Sequence, residues 1–148
     1  MILIIDITRL KDIREDHDIS QEKMSEILGV NRSTYSLWEL GINIIPLKKL
    51  CEYADYFDYS LDYMLRLTNK PKESTLIKGL DLKALGNNLK KIRLKNELSQ
   101  ENIANILNVS QACVAKYEQG KICISIANLY QFCKIFKVKL NKICGKEK

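Results

Sequence analysis

The side chains that could support catalysis or hold a metal are few and widely spaced in this 148-residue chain. The chain has one histidine, His17, and five cysteines, none of which lies in a C-x-x-C arrangement. A zinc site or a disulfide framework needs closely paired ligands, and acid–base catalysis needs more titratable groups than one histidine provides. The sequence therefore predicts no metal, no cofactor, no small-molecule ligand and no enzymatic activity.

Charge is the second chemical feature, and it is divided unequally along the chain. The net charge is +6, but residues 1–74 hold 10 Lys and Arg against 13 Asp and Glu. Residues 75–148 hold 14 basic residues against 5 acidic ones, so the two halves carry −3 and +9. This asymmetry predicts that the second half meets a polyanion and leaves the partner of the first half open.

A duplicated framework carries these residues. Residues 10–66 align without a gap onto residues 89–145, at an offset of 79. A repeat of 57 residues is long enough for a small domain with its own core. Identical pairs include Arg14/Arg93, Ser20/Ser99, Gln21/Gln100, Glu39/Glu118 and Gly41/Gly120. We therefore expect two copies of one module, with residues 1–67 and 79–148 as domains and residues 68–78 as a linker.

Capping residues and apolar spacing predict two short helices in the centre of each module. Ser20 and Ser99 stand where a hydroxyl caps a helix N-terminus. The helix then stops at Gly29 in one copy and at Asn108 in the other, the two residue types that best tolerate a left-handed backbone. A second helix follows after a three-residue turn, which is the arrangement of a helix-turn-helix.

At these residues the sequence resembles the Cro/phage-repressor-like helix-turn-helix family of the XRE type. The likeness is carried by Ser20–Val30 and Ser99–Val109, which are followed by the anchor residues Tyr35, Trp38, Val114 and Tyr117 and by Glu-x-Gly. The resemblance implies an all-α fold of two tandem five-helix lambda-repressor-like DNA-binding domains. It also implies a sequence-specific transcriptional regulator, more often a repressor than an activator.

The resemblance further implies which residues contact double-stranded DNA, because the second helix of this motif lies in the major groove. Arg32 could bond guanine, Gln111 could bond adenine, and Ala112 could pack on a thymine methyl group. In the second copy the implied contacts are Gln100, Gln111, Ala112, Ala115, Lys116, Gln119 and Lys121. In the first copy they are Gln21, Arg32, Ser33, Ser36 and Leu37.

One charged pair recurs in both copies. The resemblance implies that Arg14 and Glu39, and likewise Arg93 and Glu118, join the first helix to the end of the recognition helix as structural ion pairs. The alternative is that the two arginines contact DNA phosphates.

The two copies are not equally equipped to bind DNA. After the recognition helix the second copy has Gln119 and Lys121, where the first has Leu40 and Ile42. Acidic residues also lie along and after the first helix of the first copy, whereas lysines occupy that region of the second. Because phosphate neutralisation supplies much of DNA affinity, we expect the second copy to be the main reader. The apolar stretch Leu40–Ile45 leaves the first copy open as a homodimerisation or protein-partner module of an antitoxin-like or mobile-element regulator.

The sequence also bears on where the protein acts. No apolar run approaches the roughly 20 residues that span a membrane, and no secretory signal is recognisable. We therefore expect a cytoplasmic, nucleoid-associated protein. The apolar segment Met1–Ile5 is predicted to pack on the first module or, alternatively, to mediate self-association.

Overall fold

The computed structural model describes residues 5–72 and 75–147, so the role predicted for the apolar N-terminal segment falls largely outside it. Within these ranges the backbone forms ten helices and no strand, with one isolated bridge between Leu76 and Glu147. The prediction of an all-α fold is confirmed. The helices are α1 Arg9–Asp16, α2 Gln21–Leu28, α3 Arg32–Glu39, α4 Leu47–Phe57, α5 Leu61–Met64, α6 Leu82–Lys95, α7 Gln100–Leu107, α8 Gln111–Glu118, α9 Ile126–Phe136 and α10 Leu140–Ile143.

The chain forms two compact units, Met1–Glu73 and Ser74–Lys148, each with five of these helices. The core of unit 1 contains Met24, Tyr35, Leu50, Tyr53 and Leu61, all of which are buried. The core of unit 2 is built at matching positions by Ile103, Val114, Leu129, Phe132 and Leu140. The apolar exchanges between the two copies are thus exchanges within one type of core.

Local hydrogen bonds explain why the central helices of each unit begin and end where they do. The Ser20 hydroxyl accepts a hydrogen bond from the Lys23 amide at 3.0 Å, and the Ser99 hydroxyl accepts one from the Asn102 amide at 3.0 Å. Both helices end at a residue in the left-handed region, Gly29 with φ 69° and Asn108 with φ 56°. These caps satisfy backbone groups that the short helices cannot pair internally.

The first helix is the element that differs most between the units. Helix α6 has 14 residues whereas α1 has 8, and its extra N-terminal turns bring Gly86 against the end of α8. A Cβ atom at Gly86 would lie 2.6 Å from the Glu118 carbonyl oxygen and would also collide with the Tyr117 carbonyl oxygen. Only glycine therefore permits this approach of α6 to α8.

The flanks of the predicted linker are hydrogen-bonded to their own units. The Pro71 carbonyl accepts a hydrogen bond from the Ser60 amide at 2.8 Å, and the Ile77 amide donates to the Lys146 carbonyl at 2.7 Å. Linker bounds of 68 and 78 stay a prediction. In the ranges described above, no helix is both long enough and apolar enough to cross a membrane.

Candidate nucleic-acid interface

The two central helices of each unit, with the turn that follows them in unit 2, carry the residues that the sequence singled out for DNA contact. In unit 2 the exposed members of this set are Gln111, Ala112, Lys116, Gln119 and Lys121. Gln100 and Ala115 are half-buried beside them. These residues lie on α7, on α8 and in the turn that follows α8, so a single pair of helices and its turn supply all seven.

A hydrogen-bonded chain of side chains holds the polar part of this surface in unit 2. The Arg93 guanidinium donates two hydrogen bonds to Glu118, from Nε at 2.7 Å and from Nη2 at 3.0 Å. Glu118 Oε1 in turn accepts a hydrogen bond from Gln100 Nε2 at 3.0 Å. Gln100 Oε1 then accepts one from Gln111 Nε2 at 2.7 Å. The buried ion pair therefore orients the half-buried amide of Gln100 at the start of α7 and the exposed amide of Gln111 at the start of α8.

Unit 1 has the same hydrogen bonds among its arginine, glutamate and first glutamine, but it lacks the last hydrogen bond of the series, the one between Gln111 and Gln100 in unit 2. Arg14 donates to Glu39 from Nε at 2.7 Å and from Nη2 at 3.0 Å, and Gln21 Nε2 donates to Glu39 Oε1 at 3.1 Å. The position that matches Gln111 is Arg32, which is exposed, and no hydrogen bond joins it to Gln21 in the described ranges. The Ser33 hydroxyl donates to the Asn31 cap at 2.9 Å, so it is engaged within its own turn.

The two ion pairs are charge-assisted contacts between largely buried groups. Burial raises the pKa of Glu39, but hydrogen bonds from Arg14 and Gln21 help to lower it by more, and the net pKa lies below the ordinary value. The hydrogen bond to Glu118 likewise raises the pKa of the Arg93 guanidinium above its ordinary value. The Arg14–Glu39 pair stays ionised at neutral pH, and both arginines are turned inward to glutamate.

The turn after α3 in unit 1 is apolar, whereas the matching turn after α8 in unit 2 is mainly polar. Three apolar side chains of unit 1 are exposed there, Leu40 by 68%, Ile42 by 67% and Ile44 by 55%. We call these three residues the apolar edge of unit 1. The matching positions of unit 2 hold Gln119, Lys121 and Cys123. Ile45 is buried while these three residues are exposed, a difference that the hydropathy of the stretch Leu40–Ile45 does not reveal.

Ser36 and Leu37, the remaining predicted contacts of unit 1, are half-buried on α3. Side chains that could hold a metal ion do not gather here or elsewhere in the described ranges, where no group of three or more His, Cys, Asp and Glu residues is found. The surface that the structure assembles is thus one of amides and cations in unit 2, and of mixed polar and apolar groups in unit 1.

The chain spans about half the length of the curated relatives that it matches. The chain is 36% identical over 63 residues to the uncharacterized HTH-type transcriptional regulator YobD of Bacillus subtilis (strain 168), covering 43% of this chain and 56% of the relative. It is 35% identical over 57 residues to the uncharacterized HTH-type transcriptional regulator YqaE of the same strain, covering 38% and 49%. Each match thus leaves a large part of the relative's own length unaligned.

Comparison with solved structures finds the restriction-modification controller protein C.AhdI from Aeromonas hydrophila. It is 24% identical to this chain, with 43% of this chain and 96% of that chain covered and a TM-score of 0.39. The family model described as Helix-turn-helix matches residues 10–64 and 89–143, which is most of the chain. The chain therefore belongs to the XRE-type helix-turn-helix family of DNA-binding transcriptional regulators, and it carries the family's domain in two tandem copies.

Proposed function

We propose that this regulator binds DNA in a sequence-specific manner through unit 2 and acts as a repressor by occupying an operator. The observation that carries the proposal is the ordered pair Gln100–Gln111, held by the Arg93–Glu118 ion pair at the exposed start of two helices. Preorganised amides lose little side-chain freedom when they bind, and they suit both phosphate and adenine. The setting is cytoplasmic and nucleoid-associated, and the role requires neither a cofactor nor enzymatic activity.

Each residue of the unit 2 surface has a distinct part in this proposal. Gln111 forms hydrogen bonds to a base edge, and Ala112 and Ala115 leave room for close approach to thymine methyl groups. The Gln100 side chain and the backbone N–H groups at the N-terminus of α7 bind a phosphate. Gln119, Lys116 and Lys121 contact the backbone on either side, and the charge of +9 on residues 75–148 supports this arrangement.

Unit 1 is proposed to contribute less to DNA affinity. Gln21 is oriented by Glu39 as Gln100 is by Glu118, and exposed Arg32 can bond guanine. However, Leu37 stands where unit 2 has Lys116, and the apolar edge replaces the two polar residues of the following turn. Removing cations from these positions removes phosphate contacts, so unit 1 alone binds weakly.

A DNA titration with matched variants tests this assignment. We expect Gln111→Ala with Lys116→Ala to weaken binding to a selected operator by about 10- to 100-fold, because a bidentate base contact contributes about 1–3 kcal/mol. The dependence of log K on log salt should also fall by about 0.9 for the lost lysine. The operator itself is obtained by selection from a random DNA pool.

The matched control is Arg32→Ala with Leu37→Ala, which alters the same two positions of unit 1. We expect these two substitutions to change DNA affinity by less than about threefold, because they remove only one weak contact. Equal losses from the two pairs, or a larger loss from unit 1, would show that unit 2 is not the main reader. An unchanged affinity for the unit 2 pair would contradict the proposed DNA surface altogether.

The apolar edge of unit 1 favours a second role, pairing with a second copy of the chain. Exposed apolar residues that are contiguous along a turn mark protein interaction sites more often than solvated surface. Self-pairing through unit 1 joins two unit 2 readers, which suits a palindromic operator. We expect Leu40→Lys with Ile42→Lys to convert a dimer into a monomer in sedimentation experiments.

Tyr56→Lys, at another exposed position of unit 1, is the control and should leave the dimer intact. A wild-type chain that is monomeric at all concentrations would rule out self-pairing. A dimer that survives the double substitution would place the contact elsewhere.

A further inference from the structure

Unit 2 contains a groove that the proposed DNA surface does not use. The groove has a volume of about 540 Å³ and runs between α6, the residues that follow α9, and α10. Ile92, Val138 and Ile143 contribute apolar lining. Five lysines surround it, namely Lys91, Lys95, Lys137, Lys139 and Lys142. We call it the lysine groove.

The lysine groove lies on the side of α6 that faces away from α8. Gly86, Leu89 and Arg93 mark the side of α6 that packs against α8. With about 100° of rotation per residue, the mean direction of Lys91 and Lys95 lies about 170° around α6 from that side. No residue of α7 or α8 lines the groove. One straight duplex seated on α8 therefore cannot also fill the groove.

The fold does not require these lysines. At the offset of 79, unit 1 has Asp12, Asp16 and Asp58 where unit 2 has Lys91, Lys95 and Lys137. Ser60 and Tyr63 occupy the other two positions. The same five-helix scaffold thus accepts either sign of charge at this place, and the lysines are a property of unit 2 alone.

Helix-end electrostatics explain part of the lysine set and leave the rest unexplained. Lys95 ends α6 and Lys137 follows the end of α9, where a positive charge interacts favourably with the helix dipole. Lys91 lies within α6 before its last turn, and Lys142 lies in the last turn of α10, which has only four residues. In the part of the chain that the structure describes, no salt bridge involves Lys91, Lys95, Lys137 or Lys142.

The walls of the groove are held in place before any ligand binds. The Asn88 side chain on α6 donates a hydrogen bond from Nδ2 to the Ile143 carbonyl at the end of α10, at 2.8 Å. The tail is tied back by the bridge between Leu76 and Glu147. The five lysines outnumber the one carboxylate that also lines the groove, Glu147, so this concave wall carries a positive potential that mobile salt screens only beyond about 8 Å.

From this geometry we infer that the lysine groove binds the phosphate backbone of a second DNA segment while α8 holds the first. The chain then bridges two duplexes, or two arms of one bent duplex. The phosphates of a DNA backbone supply regularly spaced anions that five lysines from three elements can neutralise together, without reading sequence. Bridging rests on the proposed binding of DNA by α8, whereas the groove binds a polyanion whether or not α8 does.

A capture assay with the full-length protein tests the inference. The selected operator duplex is immobilised, protein is added, and capture of a labelled duplex of unrelated sequence is measured at several salt concentrations. The groove variant is Lys91→Gln, Lys95→Gln and Lys142→Gln. The matched control removes the same charge from exposed lysines outside the groove, with Lys78→Gln, Lys90→Gln and Lys134→Gln.

We expect the groove variant to lower capture of the second duplex by about tenfold or more, and to reduce its salt slope by about 0.9 per lysine. Its binding to the operator alone should change no more than that of the control variant. The control variant should retain capture. Circular dichroism and the operator titration together establish that the groove variant is folded.

Several results would overturn the inference. No capture by the wild-type chain would exclude a second DNA segment and leave an acidic protein or plain solvation as the role of the lysines. Capture that survives in the groove variant would assign bridging to pairing of two chains. If the groove variant, but not the control variant, loses operator binding and capture equally, the groove is part of the first site.

A different result would contradict the proposed function and not the groove. If Gln111→Ala with Lys116→Ala leaves operator binding intact while the groove variant abolishes it, α8 is not the DNA-binding surface, and the lysine groove is a DNA-binding site.

Discussion

Replacing Glu118 with alanine is expected to destabilise unit 2 by about 3–5 kcal/mol, since the Arg93 guanidinium is then buried without its partner. The side chains of Arg93 and Glu118 are only 10% and 5% exposed, so solvent cannot take the place of the lost carboxylate. Small domains are stable by about 5–15 kcal/mol in total. The loss is therefore a large part of what keeps unit 2 folded.

Hydrogen exchange by mass spectrometry localises this effect. Protection should fall in peptides from α6 and α8, whereas the sole tryptophan, Trp38, reports on unit 1 by fluorescence. Glu101→Ala removes an exposed carboxylate from α7 and is expected to change stability by less than about 0.5 kcal/mol. A loss for Glu118→Ala no larger than that of the control would show that the pair contributes little.

A paired apolar replacement separates the stability of the pair from its orienting role. Arg93→Met with Glu118→Leu leaves no stranded charge, so much of the lost stability should return. Gln100 nevertheless loses the Glu118 oxygen that accepts its hydrogen bond. We therefore expect a folded unit 2 that binds its operator more weakly than the wild type does. Full recovery of both properties would mean that the buried pair has no part in DNA binding.

Substituting Gly86 with alanine is expected to force α6 away from α8, because the added Cβ meets two backbone carbonyl oxygens rather than movable side chains. Overpacking of this kind costs about 1–3 kcal/mol and can cost more where the backbone itself must shift. The gain in helix propensity from glycine to alanine is about 1 kcal/mol, which offsets only part of that cost. Unit 2 should unfold at a lower temperature as a result.

Asn87→Ala is the matched control, because Asn87 is the next residue of α6 and its side chain is exposed. It should stabilise the helix slightly or leave it unchanged. The operator titration adds a second measurement. Displacement of α6 moves Arg93 and so weakens the series of hydrogen bonds that runs from Arg93 through Glu118 and Gln100 to Gln111. A Gly86→Ala protein as stable as the wild type would show that α6 and α8 can separate at little cost.

Much of the fold was predictable from the sequence because its determinants act over a few residues. Ser20 and Ser99 cap backbone amides three positions ahead, and Gly29 and Asn108 adopt the left-handed conformation that ends a short helix. Such interactions can be inferred from residue type and spacing alone. The repeat then transferred every inference from one copy to the other. The candidate contact residues were inferred by resemblance, and their contact with DNA stays a prediction.

The remainder depends on residues that are distant in the chain. Nothing in the spacing of Asn88 and Ile143 shows that they meet, yet their hydrogen bond closes the lysine groove. Lys91 and Lys142 become neighbours around one cavity only when α10 packs beside α6. The exposure of Ile42 and Ile44 beside buried Ile45 is likewise decided by packing and not by hydropathy.

The sequence by itself determined that this chain holds two helix-turn-helix modules of opposite charge, because caps, turns and net charge are local or additive properties. Only the tertiary structure decided that Gln100 and Gln111 are joined to a buried ion pair, and that five lysines of unit 2 line one groove on the side opposite α8. The physical reason is that side-chain neighbours across helices follow from how the helices cross. That crossing depends on the fit of the whole core, down to the missing Cβ at Gly86.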